Sequence, residues 1–286
     1  MTFVPPLSSQ TLDWYKFEKT EDGSHILIMP EYYSKLFEIQ HPHMMIKSNT
    51  GWRETRSGNN MYAFFIGLFV EEIEIIEQFI KDYEKLVVIG INENLTPYFS
   101  DELDSCIALD YHFADGLRSE IRELEYRAKY KKSWLAIRKL AKLLSMRIHR
   151  LPMASTVTPP ILTHIPVHGD KQFHFAKKLA RKAFDYIKHK NILNKGISYI
   201  EPSLTDEKLK LKDIKVSEKY SIWENIIENE GIILLDSVQD KSIIVIDDLY
   251  QSGITLWSFA KFLKVRGARS VHGIVGTKTR GDTDNK

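Results

Sequence analysis

Among 286 residues there is a single cysteine, Cys106. One thiol makes no disulfide within a chain and no thiolate metal cluster. Nothing near Cys106 resembles an activating base, so it is read as a small buried residue and not as a catalytic thiol. Charge of one sign is also missing. The 40 basic and 38 acidic residues leave a formal net charge of +2, which singles out neither nucleic acid nor a membrane surface as a partner. The longest apolar stretch, Met61 to Val70, is about half of the ~20 residues that span a bilayer, and Glu71 and Glu72 end it. The opening Met-Thr-Phe-Val-Pro-Pro lacks the basic-then-apolar shape of a signal peptide. These absences predict a cytoplasmic protein with no membrane contact. There is no internal repeat and no low-complexity tract. No Gly-x-x-x-x-Gly-Lys-Ser/Thr loop, Rossmann fingerprint or His-Glu-x-x-His competes for a functional reading.

What is present is an ordinary globular composition, 43% apolar and 27% charged, which leaves material for a sizeable core in one large domain or two modest ones. Residues 1 to roughly 60 read as irregular, with turn-rich patches at Glu21-Asp22-Gly23-Ser24 and Ser57-Gly58-Asn59-Asn60. Met61 to Tyr83 reads as a strand or a helix start running into an amphipathic helix, and periodicity leaves both open. Leu86 to Ile91 is a short β-branched strand. Gly116 to His149 is helical, with a break near Lys129-Tyr130, and Pro152 to Pro160 is a loop. Strand and helix then alternate: Ile161–Pro166, Gln172–Lys190, Gly196–Ile200, Ser217–Glu230, Ile232–Leu235, Ser242–Ile246, Thr255–Arg266 closed by Gly267, and Val271–Val275. Such alternation predicts an α/β fold with a mainly parallel sheet flanked by helices. The expected division is an N-terminal α/β extension of unknown role over residues 1–105 and the α/β domain proper over 106–286.

One segment carries chemistry. Ser242-Ile243-Ile244-Val245-Ile246 has no polar alternation, as expected of a central parallel strand buried on both sides. Asp247 and Asp248 follow, then Leu249-Tyr250-Gln251-Ser252-Gly253-Ile254-Thr255 and an apolar helix. Ligands of parallel sheets bind at the carboxyl ends of the strands. A turn of Ser, Gly and Thr entering a helix presents amides and hydroxyls to an anion. Gly253 lets the backbone come close to a phosphate, and Thr255 is placed to cap the helix and donate to the same phosphate. Two carboxylates beside that phosphate suit hydroxyl donors or Mg²⁺. Together these groups match a sugar phosphate.

Ile243 to Thr255 resembles, position by position, the phosphoribosyl pyrophosphate (PRPP) motif of type I phosphoribosyltransferases: four apolar residues, two acids, two variable positions, then a small polar turn with Gly and a closing Thr. More of the chain, roughly residues 107 to 278, is similar to the competence protein F branch of that superfamily. The similar stretches are Lys129-Tyr130 before a helix, His164-Ile165-Pro166-Val167-His168 at a strand end, and Phe173-His174-Phe175-Ala176 at a helix start. The resemblance implies a phosphoribosyltransferase that uses PRPP or a nucleoside monophosphate with Mg²⁺. Asp247 and Asp248 would be the catalytic and metal-binding acids. Tyr250, Gln251, Ser252, Gly253, Ile254 and Thr255 would form the 5-phosphate cradle, His168 and Lys171 the pyrophosphate side, and Lys129 a loop cation reaching pyrophosphate.

The departures are equally specific. The family's arginine-rich loop is shortened to Gly169-Asp170-Lys171-Gln172, Gln251 replaces a small residue in the phosphate turn, and the N-terminal cysteine zinc finger is missing. Two function classes follow: a transferase or nucleotide-cleaving enzyme, and a nucleotide-sensing module that binds without turnover. The unusual N-terminal third is read as an attachment region for a protein partner, with a link to nucleic-acid processing such as DNA uptake, or to phage defence.

Overall fold

The computed structural model describes residues 9–58, 60–91, 94–114, 117–148, 150–151, 158–168, 174–205 and 214–279. The chain divides into two compact units, Ser9–Gly90 and the chain from Ile91 onward.

The first unit contains β1 (Ser9–Thr11), β2 (Lys16–Lys19), β3 (His25–Met29), α1 (Glu31–Gln40), α2 (Pro42–Met45), β4 (Arg53–Glu54), β5 (Met61–Phe65), α3 (Val70–Tyr83) and β6 (Val87–Ile89). β2, β3, β5 and β4 form an antiparallel sheet, and β1 pairs with β6 in antiparallel register. The expectation of an irregular stretch up to residue 60 is thus corrected. The strands there are two to five residues long, too short for a period-2 pattern to emerge from the sequence. Met61 to Tyr83 resolves into both options at once, a strand ending at Phe65 and a helix beginning at Val70. The core is aromatic: Phe37 packs edge-on against Phe79 at 5.1 Å between centroids, and the buried Tyr33 hydroxyl donates to the Leu86 carbonyl at 2.6 Å.

The second unit contains β7 (Ser105–Tyr111), β8 (Phe113–Ala114), β9 (Leu117–Arg118), α4 (Glu120–Lys129), α5 (Trp134–Ile148), β10 (Ile161–His164), β11 (Val167–His168), α6 (Phe175–Lys190), β12 (Ser198–Tyr199), β13 (Ser203–Leu204), α7 (Val216–Glu228), β14 (Ile232–Ile233), β15 (Ser242–Tyr250), α8 (Ile254–Val265) and β16 (Ser270–Lys278). Five strands form a parallel sheet in the order β7-β16-β15-β10-β12. This is the expected α/β fold, a largely parallel sheet between helices. β15 sits in the middle, and Ile243 to Ile246 are fully buried, as a strand covered on both faces requires.

The two helical layers are separated by glycines on β16. A methyl group on Gly273 would meet Leu256 of α8, whereas one on Gly276 would meet Glu125 of α4. Residues three apart on a strand point to opposite faces, so α8 covers one face and α4 the other. α5 packs on α4 and α6 on α5. The predicted break near Lys129-Tyr130 is the α4–α5 boundary, where Lys132 takes φ +50°. Cys106 is buried on β7, and burial pushes its thiol well above the ordinary range, which is the inert residue expected. Among the described residues no helix is long and apolar enough to cross a membrane.

Candidate functional site

β15 outruns one neighbour. Its pairing with β10 ends at Ile246, opposite His164, while its pairing with β16 continues to Tyr250 opposite Lys278. From Asp247 onward no described strand pairs with the β10 side of β15 at the carboxyl edge, the ligand edge of a parallel sheet. The acids, expected directly after a strand ending at Ile246, lie within β15 itself, which runs on to Tyr250. Continued pairing with β16 holds their backbone.

Asp247 is half-buried, and its Oδ1 accepts the Asp248 backbone N–H at 2.7 Å. The packed protein around it raises its carboxyl to about 7, with Lys129 pulling the other way. The Asp248 carboxylate is ion-paired with the Lys129 ammonium. Lys129 is the last residue of α4 and so lies on a helix end, not on a loop. Its Nζ stands 5.4 Å from the Phe175 ring centroid, and burial lowers its pKa while Glu125 and Asp247 oppose that shift.

Sequence reasoning missed Glu125. It lies one turn before Lys129 and is 1% exposed. Its Oε2 accepts from the Thr277 hydroxyl at 2.9 Å. That hydroxyl is 2.9 Å from His112 Nδ1, so with its proton given to Glu125 it accepts from a His112 Nδ1–H. Oε1 is left with no hydrogen-bond partner. Gly276 makes this approach possible, because a methyl group there would stand 2.2 Å from Oε1 and 2.8 Å from the Asp248 carbonyl. The Glu125–Lys129 spacing looks like an exposed helical ion pair, and only tertiary packing reveals a buried acid. The one hint in the sequence was a glycine inside the last strand, which marks a close approach.

Burial lifts the Glu125 carboxyl to about 7 from an ordinary 4.5. A raised acid favours the folded state most when protonated. Its contribution is complete below about pH 4.5 and is lost as pH rises through 7. The melting temperature should therefore fall between pH 5 and 8, and Glu125→Gln should flatten that slope. An unchanged slope in Glu125→Gln, read by calorimetry across the range, would refute this assignment.

The phosphate turn is built on Tyr250. Its buried hydroxyl accepts from Trp257 Nε1 at 3.0 Å, which ties the end of β15 to the second turn of α8. Tyr250→Phe leaves that buried indole N–H without an acceptor and should cost about 1–2 kcal/mol, measurable by urea denaturation. Gly253 packs against the hydroxyl end of that ring; at φ +85° and ψ −11° it is the N-cap of α8. Thr255 was expected to cap but is the second residue of the helix, since the left-handed Gly253 starts α8 earlier than foreseen. Its N-cap, Gly253, has no side chain with which to cap α8. Ser252 and Ile254 are buried, while Gln251 and Thr255 keep partial exposure.

Asp247, Asp248 and Lys129 are thus in one cluster, with the 250–255 turn continuing from it. His168 lies in β11, which pairs with β13 just past the end of β10; its side chain lies outside what the structure describes, and so does all of Lys171. His164 is fully buried. Its Nδ1 lies 2.8 Å from the Ile165 carbonyl, and burial lowers its pKa to about 4, so it stays neutral. Among the described residues no group of three metal-ligating side chains occurs.

No family model matches the chain, and no curated protein matches it. Solved structures similar to it include a hypoxanthine phosphoribosyltransferase from Staphylococcus aureus, at 16% identity and TM-score 0.30, covering 52% of this chain and 69% of that one. A hypoxanthine phosphoribosyltransferase from Trypanosoma cruzi, complexed with its product IMP, is 15% identical with TM-score 0.31, over 49% of this chain and 58% of that one. A hypoxanthine-guanine phosphoribosyltransferase from Bacillus anthracis is 15% identical with TM-score 0.27, over 49% and 64%. Superpositions this partial leave the site to rest on its own residues. Those residues define a parallel α/β domain with an acid pair and a glycine-centred turn at the carboxyl edge of its central strand.

Proposed function

We propose that the second unit is a phosphoribosyltransferase-type enzyme, binding PRPP or a nucleoside monophosphate with Mg²⁺ and transferring or cleaving at the ribose anomeric carbon. The observation that carries this reading is the sequence of groups along β15 and α8: two acids past the end of the β10 pairing, then a left-handed glycine at the start of a helix. In this reading the first amides of α8, with Ser252 and Thr255, hold the 5-phosphate, and Asp247 and Asp248 orient the ribose hydroxyls. Asp247 and Asp248 are also the residues that would hold Mg²⁺. A carboxylate pair suits an ion that takes one or two carboxylates and completes its shell with water and phosphate oxygens. When bound, the ion supplies neutralisation of the departing pyrophosphate. The protein's own contribution is positioning and electrostatic support of positive charge developing at the anomeric carbon. Lys129, His168 and Lys171 are assigned to the pyrophosphate side, and the competence protein F branch is the resemblance that fits this arrangement.

The test is pyrophosphate release from PRPP by the full chain with Mg²⁺ and each purine and pyrimidine base in turn. Release with one base, lost in Asp248→Asn, supports the enzyme. A second reading, a sensor that binds without turnover, is favoured by the ion pair in which Lys129 already neutralises Asp248. Tight PRPP binding with no release in any mixture would select the sensor. Residues 1–105 are assigned in either case to a protein partner.

A further inference from the structure

α5 differs from the helix beside it in how its charge is answered. It carries four cations, Arg138, Lys139, Lys142 and Arg147, and no acid. On α6, by contrast, Lys177 and Arg181 face Glu201, and Lys182 faces Asp185. Arg138, Lys139 and Lys142 are exposed, and none of them pairs with a carboxylate among the described residues. In a chain whose formal net charge is only +2, this is a local excess.

The same face exposes a flat aromatic ring. With 3.6 residues per turn, Trp134, Arg138 and Lys142 lie in line, and Leu135 and Lys139 lie beside them. Trp134 is 52% exposed. Lys182 of α6 stands 5.1 Å from its ring centroid, which holds the indole in place while leaving half its surface open. An anchored indole offers stacking at little further entropic cost, and a row of unanswered cations beside it suits a phosphate backbone. A lipid surface would want a continuous apolar stripe along the helix; here the exposed apolar residues Trp134, Leu135 and Met146 stand towards its two ends, with Arg138, Lys139 and Lys142 between them. A duplex buries the π-faces of its bases, whereas an unpaired strand presents them to aromatic side chains.

We propose that the outer face of α5 binds single-stranded nucleic acid, with the strand's phosphates along Arg138, Lys139 and Lys142 and a base stacked on Trp134. This surface is independent of the proposed sugar-phosphate chemistry.

The test uses the full chain and a fluorescein-labelled single-stranded 20-mer, with affinity read by anisotropy over a range of salt. The combined variant Arg138→Glu, Lys139→Glu, Lys142→Glu should bind at least ~10-fold more weakly, with the salt slope flatter by about 2. Trp134→Ala should bind roughly 5- to 30-fold more weakly with the slope unchanged, because stacking is not a counterion effect. All positions are on the surface, so both variants should melt like the parent. Equal affinity of the parent and the charge variant would overturn the proposal. So would a Trp134→Ala chain that binds as the parent does, or competition by duplex, heparin or phosphatidylserine vesicles as effective as that by the unlabelled strand.

Discussion

Replacing both strand-end acids, Asp247→Asn with Asp248→Asn, should weaken PRPP binding in the presence of Mg²⁺ by at least ~100-fold. Each carboxylate that meets a hydroxyl or a metal contributes on the order of 1.5–3 kcal/mol through charged hydrogen bonds, and the amide keeps the shape but loses the charge. The two positions should also separate in stability. Asp247, raised to about 7, is a group whose neutral form the fold favours, so Asp247→Asn should be neutral to stabilising at pH 8. Asp248→Asn removes the ion-pair partner of the partly buried Lys129 and should destabilise, since an uncompensated cation is left behind. Calorimetric titration and thermal melts of the two single variants check both halves. Affinity in the double variant equal to the parent would remove the acids from the site.

Gly253→Ala should be the most damaging single methyl group in the second unit. The backbone there sits at φ +85°, where an L side chain costs roughly 1–2 kcal/mol. The added Cβ would also stand 2.1 Å from the Tyr250 hydroxyl and 2.2 Å from ring carbon Cζ. Tyr250 must then move, and its hydrogen bond from Trp257 goes with it. A total near 3 kcal/mol is expected, lowering the melting temperature by roughly 6–12 °C. Adding Tyr250→Phe should recover little, because the ring carbon itself obstructs the methyl group. A Gly253→Ala chain that melts with the parent and still binds PRPP would show that the turn is not the cradle described here.

The central strand was legible because nothing in its composition competes. Four apolar β-formers, two acids and a glycine before an apolar helix leave one reading, and the sheet order places that strand in the middle. The first unit was not legible, since its strands are two to five residues long and two of its pairings, β1 with β6 and β3 with β5, join segments distant in sequence. Glu125 was hidden for another reason. Its neighbours in sequence describe a solvated helix, and its burial is set by Gly276, some 150 positions later. The resemblance places Lys129 on a loop, whereas the structure sets it at the end of α4, ion-paired with Asp248. For Glu125 and Lys129 what was missed is a contact between segments far apart in the chain, which no local pattern encodes.

The most direct measurement is calorimetric titration of the full chain with PRPP, with and without Mg²⁺, followed by ribose 5-phosphate. Micromolar PRPP binding that strengthens with Mg²⁺ is expected, together with weaker binding of ribose 5-phosphate at the same site, so that each competes with the other. Absence of heat with PRPP, ribose 5-phosphate and every purine and pyrimidine monophosphate would contradict a sugar-phosphate site at the end of β15.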